Sequence, residues 1–324
     1  MELEISMVSG NYDRIQGIKS GEVPVEGCRV RYVNLAPPET FKRLFDNQEF
    51  DVAEMSFSTY LMTRFKKNFP YTAVPIFLSR VFPHCSIYIR TDRGIAKPED
   101  LKGKLIGTPN YHFTRGLCVR GMLSDEYGVR PEDIRWRAGG IDTPGGLTYM
   151  ATDPPPGLDY RAIPPDQTLG AMLADGRLDA IVTYRDPQVF TDRMPNIGRL
   201  FPDFRTPERA WFKKSGIFPI MHVVGIRDRL LRDHPWLAAS VVSAFERAKA
   251  LAIPHLTDLD ALATTLPWMV AEAEDTVALM GEDFWPYGVA KNLKTIQAQT
   301  RWSVEQGLSP RQLKPEELFV PSTL

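Results

Sequence analysis

Two stretches of the chain repeat one pattern of apolar and polar positions. In the first, Phe41, Leu44 and Phe45 recur at helical spacing, Gln48-Glu49-Phe50-Asp51 interrupts, and Val52-Ala53 follows. In the second, Leu169, Met172 and Leu173 recur in the same way, then Gly176-Arg177-Leu178-Asp179, then Ala180-Ile181-Val182. Each predicts an amphipathic helix, a tight turn and a short buried strand, which is half of a βαβ unit. A helix feeding a short apolar strand favours parallel sheets with helices outside. One such unit in each half of the chain predicts two lobes of like construction.

Two further strand-like runs mark where the chain passes between those lobes. His84-Cys85-Ser86-Ile87-Tyr88-Ile89 leads into polar Arg90 to Gly94, and His222-Val223-Val224-Gly225-Ile226 leads into helical Arg227 to Leu231. Between them, Leu101 to Gly107 starts afresh, and Gly139 to Gly146 and Pro154-Pro155-Pro156-Gly157 form loops. The expected division is therefore lobe 1 at residues 1–89 plus 222–324, an inserted lobe 2 at 90–221, and a ligand cleft between them. After His234-Pro235-Trp236, Leu237, Val241, Val242, Phe245 and Ala248 share a helix face, so C-terminal helices are expected to pad lobe 1.

Composition narrows the function classes. A chain of 324 residues with 43% hydrophobic and 24% charged residues has the make-up of a globular protein, and its length suits two domains better than one. Lysine plus arginine (39) nearly balances aspartate plus glutamate (40), so the basic excess of a nucleic-acid binder is missing. Three cysteines without a Cys-x-x-Cys pair predict neither a disulfide framework nor a thiolate zinc site. No apolar run approaches the roughly 20 residues that cross a bilayer. The first residues enter a strand-like alternation and not a basic, apolar, small-residue leader, which predicts a cytoplasmic protein. No metal is expected, because no His-x-x-x-His or carboxylate-rich loop offers ligands. No dinucleotide is expected either, since Gly139-Gly140 and Gly145-Gly146 lack the strand-to-helix setting of a nucleotide loop. Homo-oligomerisation stays open.

Ligands of open α/β sheets bind beyond the carboxyl ends of strands, at the switch points of the topology. Here those places are Ser9-Gly10-Asn11-Tyr12-Asp13, Glu54-Met55-Ser56, Thr108-Pro109-Asn110-Tyr111-His112 and Thr183-Tyr184-Arg185.

The run Phe77-Leu78-Ser79-Arg80-Val81-Phe82-Pro83-His84-Cys85-Ser86-Ile87-Tyr88-Ile89-Arg90 resembles the 4,5-dihydroxyphthalate decarboxylases. So do Asp51 to Ser56, Gly216 to His222, Trp285-Pro286-Tyr287-Gly288 and Gln306-Gly307-Leu308-Ser309, and the likeness extends over nearly the whole chain. It implies a two-lobed, type II periplasmic-binding-protein-like α/β fold. The implied activity is cofactor-independent decarboxylation of a hydroxylated aromatic dicarboxylate. The alternative is a binding protein for aromatic acids, without chemistry, serving a transporter or sensor. Tyr111-His112-Phe113-Thr114 departs from a Trp-Ala-Gln-Thr-like stretch of that family, which leaves the exact substrate open.

Removing carbon dioxide from an aromatic ring requires a proton for the ring carbon, a clamp for the retained carboxylate and a partner for the phenol. Histidine titrates in the right range. His84 is the first candidate for the proton, the alternative being a histidine bonded to backbone at a strand start; His222 mirrors it at the other crossover. Glu54 is a base for the phenol or an ion-pair partner of an arginine. Arg80 and Arg185 are the expected carboxylate clamps, one per lobe, because a guanidinium offers two parallel charged hydrogen bonds. Ser56, Thr114, Tyr111, His112 and Asn11 complete the expected substrate contacts.

Overall fold

A computed structural model describes residues 2–66, 68–146, 149–150 and 154–324. Among the described residues eleven strands run in chain order: β1 (Leu3–Ser9), β2 (Cys28–Asn34), β3 (Val52–Ser56), β4 (Tyr71–Arg80), β5 (Ile87–Arg90), β6 (Leu105–Thr108), β7 (Arg135–Ala138), β8 (Tyr160–Ala162), β9 (Ala180–Val182), β10 (Ile197–Arg199) and β11 (Ile220–Arg227). They form two sheets, ordered β2-β1-β3-β11-β4 and β10-β5-β9-β6-β7-β8.

The repeated pattern folds as expected. The helix Pro37–Asn47 buries Phe41, Leu44 and Phe45, opens on two prolines and closes on left-handed Gln48 before β3. Its counterpart, Leu169–Ala174, buries Leu169, Met172 and Leu173, turns through Gly176 at φ 79°, and feeds β9. Side-chain-free Gly176 takes that backbone at little cost. Both strands are buried along their whole length, which is why they read as apolar runs and not as alternations.

In the first sheet β1 pairs parallel with β2 and β3, whereas β11 runs antiparallel between β3 and β4. In the second, β9, β6, β7 and β8 are parallel, and β5 and β10 run against their neighbours. The strand expected from His84 begins later. His84–Ser86 is a single 3-10 turn, closed by the Ser86 N–H donating to the Pro83 carbonyl, and only from Ile87 does the chain pair with β9. Residues 87–89 therefore lie in the second sheet, and residues 220–221 in the first.

The C-terminal helices divide their packing. Leu237–Ala252 buries Leu237, Val241, Phe245 and Ala248 on the first sheet's core. Val289–Glu305 gives Ile296 to that core but Ala298 and Trp302 to the core of the second sheet. It reaches there because Gly121 faces Trp302 so closely that an added Cβ would lie 2.2 Å from the indole. No helix among the described residues is long and apolar enough to cross a membrane.

Candidate active site

Strand register builds the centre of the site. Glu54 and Ser56 are two residues apart on β3 and share a face. His222 on β11 stands opposite Ser56 across the antiparallel pair and opposite Ser79 on β4. Glu54 and His222 are thus diagonal neighbours, within reach for two long side chains. Their contact is made: His222 Nδ1 lies 2.6 Å from Glu54 Oε1. Tyr12, in the turn beyond β1, donates its hydroxyl to the same oxygen at 2.5 Å, and the Gly10 N–H donates to Oε2 at 2.8 Å.

Glu54 is wholly buried. Burial alone would raise its pKa, but the His222 charge and the bonds from His222, Tyr12 and Gly10 outweigh that and hold it below the usual carboxylate range. The Tyr12 phenol is pushed far up, by burial first and by the Glu54 charge second, so it stays protonated and donates. With Nδ1 engaged by the carboxylate, His222 makes no hydrogen bond through Nε2 among the described residues.

His222 lines a cavity of about 280 Å³ together with Ser56 and Ser79 of the first sheet, Thr114 and Arg115 from beyond β6, and Tyr184 from beyond β9. Tyr12, Pro37, Pro38, Phe41, Phe113, Tyr149 and Met221 make the rest of the wall largely apolar and aromatic. Pockets for small ligands start at about 300 Å³, so this one suits a single substituted ring. Its polar rim is continuous between the sheets. Ser56 Oγ and Thr114 Oγ1 are 3.0 Å apart, and the Ser58 N–H donates to Thr114 Oγ1 at 3.1 Å.

The structure gathers some of the expected residues and scatters others. Glu54, His222, Ser56 and Thr114 are together. His84 is elsewhere: it is fully buried, set edgewise against Phe201 and Trp211 at 5.0 and 5.8 Å, and burial lowers its pKa to about 4. Neither ring nitrogen has a hydrogen-bond partner among the described residues, so this is a neutral core histidine and not a proton donor to the cavity. Arg80 is also committed elsewhere. Its guanidinium donates to the carbonyls of Phe218 and Pro286 at 2.8 and 2.9 Å and to Asn292 Oδ1, which leaves no fork for a substrate. Arg185 is half-exposed and paired with Asp142 at 2.7 Å. Asn11 is on the surface, accepting from Gln16 and Lys19. Tyr111 lies under the Arg120 guanidinium, 4.1 Å from it, and outside the cavity wall. His112 is buried behind Tyr149, with ring centroids 5.9 Å apart and a pKa lowered by burial to about 4.

Besides the apolar wall, five residues with polar side chains at the cavity were absent from the expected set: Tyr12, Ser79, Arg115, Tyr149 and Tyr184. Tyr12 and Tyr184 lie in the strand-end stretches and were passed over there, whereas Arg115 comes several residues after the end of β6. Tyr149 had no such signal; it comes from the long loop after β7 and stacks on Phe45 of the first sheet's core, 5.7 Å away. Among the described residues, no group of three or more His, Cys, Asp or Glu is placed to hold a metal ion.

No protein-family model matches the chain. Among solved structures, it resembles the periplasmic aliphatic sulphonate binding protein SsuA of Escherichia coli, with 12% identity, 99% of this chain and 98% of that one covered, and a TM-score of 0.54. It also resembles the desulfurization enzyme DszB, with 13% identity, 99% and 97% covered, and a TM-score of 0.53. These likenesses establish the two-lobed periplasmic-binding-protein-like fold. Sequence comparison goes further. A 4,5-dihydroxyphthalate decarboxylase of Comamonas testosteroni is 38% identical over 323 residues, which is 100% of this chain and 98% of the relative. One of Pseudomonas putida is 37% identical over 212 residues, 65% of this chain and 82% of the relative. A cavity walled by aromatic side chains, a buried carboxylate–histidine pair on its floor and a match along the entire chain agree: this chain belongs to the 4,5-dihydroxyphthalate decarboxylase family.

Proposed function

We propose that the chain decarboxylates a hydroxylated phthalate such as 4,5-dihydroxyphthalate to carbon dioxide and protocatechuate, with His222 as the proton donor. The observation that carries this reading is the Glu54–His222 pair. A buried carboxylate bonded to a histidine that faces the cavity orients that imidazole, which is what a general acid requires.

In the proposed reaction His222 Nε2–H faces the ring carbon that bears the departing carboxylate. The ring takes the proton at that carbon, and the para hydroxyl oxygen shares the positive charge that results. The carbon–carboxylate bond then breaks, its electron pair restores the aromatic ring, and carbon dioxide leaves. One proton is consumed and solvent returns it to His222. Glu54 stabilises the imidazolium before transfer, and Tyr12 and the Gly10 N–H hold Glu54 in place. The wall of Pro37, Pro38, Phe41 and Met221 keeps water from the departing carboxylate, whose charge is easier to lose in an apolar setting. Ser56, Ser79 and Thr114 supply hydroxyls for the ring substituents. We place the reaction in the cytoplasm, a location supported by three unpaired cysteines.

The test is carbon dioxide release from purified, chelator-treated protein given 4,5-dihydroxyphthalate, with protocatechuate followed by chromatography. Stoichiometric appearance of both supports the reading. Folded protein that yields neither, with or without added divalent metal, would overturn it.

A further inference from the structure

Among the described residues Arg115 is the one arginine or lysine on the cavity wall. It is the second residue of the 14-residue helix Thr114–Tyr127, so its side chain leaves from the end where free N–H groups already favour negative charge. Its Nε is buried without a hydrogen-bond partner, and no carboxylate among the described residues comes within ion-pair distance of its guanidinium. Buried Arg80 and Arg120 also keep one nitrogen without a partner, Nε and Nη1, but their other nitrogens are engaged. Arg80 has three acceptors, and Arg120, five residues further along the same helix, donates to Gln306 Oε1 at 2.7 Å and to the Tyr111 carbonyl at 2.5 Å. The acid that electrostatically senses Arg115, Glu208, instead accepts the Cys85 N–H at 3.2 Å.

Arg115 is half-buried and burial lowers its pKa, so a charge without a partner there is costly in the empty protein. The cost is offset when a ligand brings the counter-charge, and a guanidinium fits a carboxylate with two parallel bonds. The wall also divides by chemistry: Arg115 and Thr114 open one helix, whereas Pro37, Pro38 and Phe41 are apolar and Phe41 lies edge-on to His222, 4.9 Å away. Two adjacent carboxylates on one ring would be sorted by that asymmetry. We infer that Arg115 anchors the carboxylate which the product keeps. This rests on the decarboxylase reading for which group leaves, but not for the anchoring itself.

The experiment measures binding, by calorimetry, of phthalate, protocatechuate and catechol to the parent protein and to Arg115→Met and Arg115→Lys. Phthalate and protocatechuate carry the anchored carboxylate; catechol carries none. In Arg115→Met the two acids should weaken on the order of 10²-fold, as when one partner of a buried charged pair is removed, while catechol changes less than threefold. Arg115→Lys should recover part of the loss. Equal weakening of catechol would make Arg115 a packing residue, and unchanged acid binding in a folded variant would remove the anchor; either overturns the inference. Failure of the parent to bind either acid would overturn it too. A parent that binds both acids through Arg115 yet releases no carbon dioxide would sink the decarboxylase reading and leave the anchor standing.

Discussion

Replacing Glu54 by glutamine changes one atom type at the base of the site and tests the proposed proton donor. The carboxylate lies against His222 Nδ1 at 2.6 Å and is fully buried. Opposite charges about 4 Å apart attract by about 4 kcal/mol at the effective dielectric of 20 that describes most protein sites. The amide returns some of that as a dipole, leaving a loss of roughly 3–4 kcal/mol for the imidazolium form. Each 1.36 kcal/mol is tenfold in rate, so kcat should fall by about 10²–10³ while KM stays within a few-fold. Hydrogen bonding argues the same way. Glu54 accepts from His222, Tyr12 and Gly10 through two oxygens. Glutamine has one oxygen: its amide must face either the Gly10 N–H, donor against donor, or the Tyr12–His222 side, where it selects the wrong imidazole tautomer. One unsatisfied buried donor costs about 1–3 kcal/mol of stability. The assay is steady-state formation of protocatechuate, with a thermal melt to confirm folding. A folded Glu54→Gln protein with kcat within threefold of the parent would refute the role assigned to the pair.

Arg80→Ala should appear as a folding defect and not as a binding defect. It strips donors from three buried acceptors at Phe218, Pro286 and Asn292, a loss of about 3 kcal/mol or more, read as a lower denaturant midpoint with KM unchanged in whatever protein remains folded; a raised KM at full stability would contradict it. His84→Leu should leave turnover unchanged and improve stability selectively in acid. Burial lowers the His84 pKa to about 4, below the usual histidine value, so the neutral ring's contribution is present above pH 6.5 and is lost as pH falls toward 4. At pH 5 that loss is roughly 2 kcal/mol, from about 1.5 pH units at 1.36 kcal/mol each. Urea melts at pH 7.5 and 5 check it, and the same parent–variant difference at both pH values would count against it.

The parts of the fold that could be read from the chain are those fixed by neighbours in sequence. Helix, turn and strand at 37–56 and 169–182 needed only apolar spacing and a left-handed turn residue; the strand Ala180–Val182 was placed to the residue, whereas β3 runs on through Ser56, three residues past the expected Val52-Ala53. The site was half legible. Glu54 and Ser56 were found because strand ends point into clefts, which is a rule about position, and His222 because it mirrors His84 at the second crossover. Arg80 and His84 sit at equally suitable positions and face elsewhere. Their surroundings come from Phe201, Trp211, Phe218, Pro286 and Asn292, more than a hundred residues away, and nothing local encodes that. Arg115 escaped notice because the loop Pro109 to Phe113 carries the chain several residues past the end of β6 before it reaches the cavity.

The place of β11 has a consequence for how the protein is made. β4 joins its sheet only through β11, and the inner edge of β3 is also covered only by β11. On the ribosome about 140 residues separate β4 from β11, which takes roughly 7–28 s at 5–20 residues per second. For that interval two strands rich in apolar side chains, Val52–Ser56 and Tyr71–Arg80, wait without the partner that will bury them. An unpaired apolar edge is a template for association with other chains. Cells making this protein therefore meet an aggregation hazard midway through its synthesis, and anything that slows translation across the segment between β4 and β11 prolongs it.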